Sequence, residues 1–98
     1  MAYTKTWKIV NTANPTRVHT SVTDFYSQCQ NPDSTDADVK QHLSNDAFYN
    51  VIRTAEVSED GTYITHVKTF ADEATHDAWK SAGASLPTID KDLTITEV

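Results

Sequence analysis

The sequence predicts an α+β domain, and three observations carry that prediction. Apolar and β-branched stretches alternate with capped, helix-spaced ones in the order strand, helix, strand, strand, helix, strand. A turn at Ser58-Glu59-Asp60-Gly61 joins the two central strands into a hairpin. Several strands carry large side chains on both faces, as when Trp7 and Ile9 alternate with Val10, Val51 with Ile52, and Ile64 with Val67.

The first strand runs from about Lys5 to Asn11 and stops before Asn14-Pro15. Ser21 then stands as a helix cap with Asp24 three positions on, and Phe25, Tyr26 and Cys29 follow at near-helical spacing. A competing reading makes Arg17 to Ser27 a second strand, because Val18, Thr20 and Val22 alternate. After Asn31-Pro32-Asp33, Ser34-Thr35-Asp36 caps a helix to about Leu43, with Val39 and Leu43 on one face. Strands from Phe48 to Val57 and from Tyr63 to Phe70 form the hairpin. Asp72 caps a helix through Ala74, Ala78 and Ala82 to Gly83, which is placed for a left-handed end. A last strand covers Leu93 to Thr96. This order is the split βαβ, or ferredoxin-like, plan: a four-stranded antiparallel sheet with two helices on one face.

At 98 residues the chain is one domain, 1–98, and with two Gly and three Pro it has no linker composition. Fourteen acidic against eight basic side chains give a net charge of −6, which argues against nucleic acid and anionic membranes as partners. The absence of any long apolar run or apolar leader predicts a soluble, cytoplasmic protein. One cysteine excludes an intramolecular disulfide, and Cys29, with no basic neighbour in the sequence, reads as a small core residue. Neither a phosphate loop, a nucleophile elbow nor a calcium loop is present, so no cofactor, metal or catalytic residue is assigned.

The run Thr69-Phe70-Ala71-Asp72-Glu73-Ala74-Thr75-His76-Asp77-Ala78-Trp79-Lys80, a strand passing straight into an acidic-capped helix bearing Trp, resembles the antibiotic-biosynthesis-monooxygenase-like family of dimeric α+β-barrel proteins. The resemblance implies two subunits with their sheets face to face and a pocket between sheet and helices. Haem-degrading members have an Asn on the first strand, a Trp on the second helix and a His beyond it. Asn11 and Trp79 match the first two positions. Position 89 is Ile and no His follows His76, so the resemblance carries no haem ligand.

The residues singled out for ligand contact are Trp7, Asn11, His66, His76 and Trp79. His76 stands four residues after Asp72, which is compatible with a carboxylate-oriented general base or with an exposed helix residue in a weak local pair. His66 lies mid-strand in a partly apolar row, as a hydrogen-bonded core or interface histidine or as a pocket wall. His42 reads as exposed and without a role. Strands apolar on both faces, in a chain whose helices cover one, predict a homodimer. The functional expectation is a binding or assembly role, with a protein partner as one option. The alternatives are a cofactor-independent monooxygenase-like enzyme for a small aromatic or polyketide-like substrate, and a virus-encoded accessory or virion protein.

Overall fold

The computed structural model describes residues 2–98. The elements are β1 (Tyr3–Asn11), α1 (Val22–Cys29), α2 (Asp36–Phe48), β2 (Ile52–Val57), β3 (Tyr63–Phe70), α3 (Glu73–Gly83) and β4 (Leu93–Glu97). The strands form one antiparallel sheet in the order β2-β3-β1-β4, the arrangement compatible with a ferredoxin-like fold.

Side-chain alternation sorts the sheet into two faces. Ile9 pairs with Ile64, and both pack under Phe25 and Cys29 of α1 in a core that Trp7, Val22, Tyr26, Ala55 and Leu93 extend. Phe70 lies on the same face and stacks against His76 and Trp79 of α3, with ring centroids 5.0 and 5.1 Å apart. All three helices therefore lie on one side. The other side carries Val10, Ile52 and Val67 among threonines, with Tyr63, Lys8 and Glu56, and among the described residues no element covers it.

Each helix starts where a side chain satisfies an otherwise orphaned backbone donor. Ser21 Oγ accepts from the Asp24 amide at 3.0 Å, and Asp72 Oδ1 accepts from the Thr75 amide at 2.8 Å. Thr35 and Asp38 form a reciprocal capping box. The helix after Ser21 overturns the strand reading of 17–27. Both capped helices expected before the hairpin form, separated by Asn31-Pro32, so the described residues hold three helices where the split βαβ plan has two.

Two boundaries also differ from expectation. Residues 44–48, read as a break and a strand start, continue α2, because Asn45 and Asp46 find partners on α3 and the sheet instead of on their own backbone. The left-handed residue after that helix is Asn50, with φ 54°, while Gly83 ends α3 without a positive φ. Among the described residues no helix is long and apolar enough to cross a membrane.

The hairpin turn does need its glycine. Gly61 has φ 78°, and a Cβ there would lie 2.6 Å from Val18 Cγ1 and 3.1 Å from the His19 carbonyl oxygen. The His19 amide donates to the Gly61 carbonyl at 2.8 Å, so the loop after β1 is seated on the turn. Ser58 and Thr62 hydroxyls hydrogen-bond Asp60 and hold its carboxyl down to about 2. Gly61→Ala should destabilise the fold by about 1–3 kcal/mol, through the left-handed angle and the backbone contact that cannot rotate away. Urea unfolding checks this, and an unchanged midpoint would contradict it.

Candidate functional site

The register of the hairpin builds the floor of a cleft. Arg53 pairs with Lys68 and Ala55 with His66, so these four side chains project from neighbouring strands on the helix side. Above them lie Val22 and Tyr26 of α1, Val39 and Leu43 of α2, Trp79 of α3 and the 86–90 loop. The cleft is open to solvent on one side and offers about 1020 Å³, at the upper end of small-molecule sites. It exists because α2 is seated by a polar residue. Asp46 is the buried residue of that helix, and Val39 and Leu43 face the cleft instead of closing onto the sheet.

Asp46 ties three elements together. Its Oδ1 accepts from the Trp79 indole at 2.7 Å, and its Oδ2 accepts from Arg53 Nη1 at 2.7 Å. Lys68 Nζ lies 3.6 Å from Oδ2, an ion pair too long for a good hydrogen bond. The same ammonium sits 4.6 Å from the centre of the Trp79 ring. Burial pushes the Lys68 pKa below its ordinary value, and Asp46 counters it. Asn45 Nδ2 adds a hydrogen bond to the Trp79 carbonyl at 3.2 Å, which locks α2 against α3.

Deeper in the cleft Tyr26 Oη and His66 Nδ1 are 3.0 Å apart. Burial, followed by the cations Lys68 and Arg53, holds His66 down to about 4. Burial, followed by the charge of Asp90, pushes Tyr26 up to about 12. At neutral pH the phenol keeps its proton and the imidazole is uncharged. Phenol is the stronger acid and imidazole nitrogen the stronger base, so Oη donates to Nδ1 and the ring N–H falls on Nε2. Nε2 is buried with no hydrogen-bond partner. Burial also raises the Asp90 carboxyl, against the opposing charges of His42 and Lys68.

Of the five residues singled out in the sequence, the structure brings His66 and Trp79 into this cleft. Trp7 is the cross-strand neighbour of His66 but packs along the core. Asn11 is buried at the end of β1, and its Oδ1 accepts from the Asn14 amide at 3.2 Å, a loop-forming contact. His76 is 7% exposed, packed against Tyr3 and Phe70, so the exposed-helix reading is corrected. Its Nδ1 meets Asp77 Oδ1 at 3.0 Å, while Asp72 is engaged in capping; the expected Asp72–His76 pair does not form. His42 has a role after all, with Nε2 donating to the Pro87 carbonyl at 2.6 Å and anchoring the loop that rims the cleft. Cys29 is buried in the core, where burial pushes its thiol pKa up.

Tyr26, Asp46, Arg53, Lys68 and Asp90 escaped the sequence reading. Only the floor residues had a usable signal: once the hairpin is recognised, alternation around its turn puts Arg53, Ala55, His66 and Lys68 on the face of Ile64. Among the described residues no cluster of three or more His, Cys, Asp or Glu side chains forms. No protein-family model, curated protein or solved structure matches the chain. What defines the class is therefore the geometry: a small α+β protein with a half-polar cleft between helices and sheet.

Asp46→Ala removes the acceptor of one indole and two cations, and it should cost about 2–3 kcal/mol in chemical denaturation. A loss below about 0.5 kcal/mol would mean that the cluster does not tie the helices down. The His66 ring makes a second prediction. Its unfolded value is 6.5, so below that pH the unfolded chain takes up a proton that the folded one refuses. Its contribution to stability is complete above pH 6.5 and is lost as the pH falls towards 4; Asp90, shifted upward, works in the opposite sense. The Cε1–H resonance of His66 should titrate near pH 4, and a midpoint at 6.5 would rule out the neutral buried ring.

Proposed function

We propose that this chain functions as a homodimer with a binding or assembly role, its two copies joined through the uncovered sheet face. The observation that carries the reading is the composition of that face. Val67 lies near its middle between Thr6 and Thr54, Val10 lies further along β1 between Tyr63 and Thr94, Ile52 is 68% exposed at its edge, and threonines fill most remaining positions. Methyl-bearing threonines pack against another pleated surface at small desolvation cost, whereas a face meant for water carries charges.

Lys8 and Glu56, the charged side chains on the strand positions of that face, flank Thr65 on its two neighbouring strands. A two-fold axis lying in the interface along β3 sets Lys8 of each copy over Glu56 of the other, one strand spacing of about 4.8 Å to either side. Taken as roughly 20 by 26 Å, the four-stranded face offers about 500 Å² of projected area per copy, and twice that lies near the lower bound for a specific interface. The dimer is accordingly expected to dissociate at measurable concentrations.

One observation favours a second reading, the cofactor-independent oxygenase. The cleft is lined by Trp79 but is not plugged by Trp7 and Trp79 together, which leaves room for a substrate. Turnover of an aromatic substrate under oxygen without added metal would decide for it.

Sedimentation of a chain of 10.9 kDa should show a concentration-dependent species near twice that mass. Val67→Asp should leave a folded monomer, because it places an unpaired charge in the joint. Lys8→Glu should weaken the dimer and Lys8→Glu with Glu56→Lys should restore it. A monomer throughout the micromolar range would refute the reading.

A further inference from the structure

The cleft holds two hydrogen-bonding groups that the protein itself leaves short of partners. Lys68 has an ammonium with three donors and a side chain that is 15% exposed, and its contact with Asp46 at 3.6 Å is ionic. His66 Nε2 is buried without a partner. Both project from β3 on the same face, two residues and so about 6.6 Å apart along the strand. Buried donors of this kind call for an acceptor.

The charges around them say what kind. Asp46 is already engaged by Trp79, Arg53 and Lys68, so it has little left for a bound cation. Two cations face this one committed carboxylate, which leaves a local surplus of positive charge in a chain that is otherwise acidic. Asp90 is the carboxyl that opposes an anion here; burial raises its pKa, against the pull of His42 and Lys68. His42 is turned to the Pro87 carbonyl and Tyr26 to His66. With Asp90 also in the wall, a monoanion suits this balance better than a phosphate dianion does. The rest of the wall is hydrocarbon from Val22, Val39, Leu43, Leu86, Pro87 and Ile89.

We propose that the cleft binds small apolar monocarboxylic acids, the carboxylate accepting from Lys68 Nζ and His66 Nε2 and the hydrocarbon body lying against Trp79 and the 86–89 loop. The site is on the opposite side of the sheet from the proposed dimer face, so either can fail without the other.

The probes are 2-naphthoate and its neutral isostere 2-naphthamide, titrated into the full chain and followed by amide chemical shifts. Naphthoate should bind saturably and at least tenfold more tightly than the amide, with shifts at Ala55, His66 and Trp79. The net charge of −6 works against non-specific anion binding, so this preference has to come from the site. Lys68→Met, which keeps most of the apolar stem, should erase the tenfold preference, and Lys68→Arg should retain a preference for the acid. Asp90→Asn should tighten naphthoate. Equal affinities for acid and amide, absence of saturable shifts to millimolar concentration, or shifts confined to the uncovered sheet face would each overturn the proposal. The comparison of acid with amide on the unsubstituted chain stands even if a variant fails to fold.

Discussion

The carboxylate of Asp46 is the constraint on which the helical layer depends. It is buried at the end of α2 and takes the indole N–H of α3 and the guanidinium of β2, with the β3 ammonium close by. Without those donors its burial would cost several kcal/mol. With them it sets the height of α2 above the sheet and the rotation of α3 about Trp79. A hydrophobic seat at the same point would let Val39 and Leu43 close onto the strands. The polar seat holds them away, and the cleft is the space that results.

This arrangement divides the sheet into surfaces of different chemistry. Under α1 the contact is dry, with Phe25, Ile64 and Cys29 fully or nearly fully buried. Under α2 and α3 it is half-polar, and the charges of Asp46, Arg53 and Lys68 meet there. The reverse face is neither, because threonine hydroxyls and methyls share it; Thr4 and Thr69 hydroxyls even meet across the strands at 3.3 Å. A sheet of this kind can take a partner on one side and a small ligand on the other without either disturbing the core.

Periodicity and turn chemistry revealed most of the architecture. The β3 strand was legible to the residue because the Gly61 turn precedes it and Asp72 follows it, two signals that depend on backbone angle and capping alone. The end of α2 was not. Ser44-Asn45-Asp46 has the composition of a break, and it stays helical because partners distant in the sequence satisfy side chains that would otherwise compete for the backbone. His76 and His42 were misjudged for the same reason. Helical spacing says which residues share a face, but whether that face meets water depends on elements elsewhere in the chain.

By itself, the sequence determined the four strands and their succession, the hairpin, the caps and the two-sided character of the strands. These follow from interactions between residues a few positions apart, or from an alternation that the chain carries wherever it goes. Only the tertiary structure decided that His66, Lys68, Asp46 and Trp79 share one cleft while Trp7, Asn11 and His76 lie outside it. Such a grouping depends on strand order and on the seating of α2, and both are set by contacts between residues more than twenty positions apart, which no local pattern encodes.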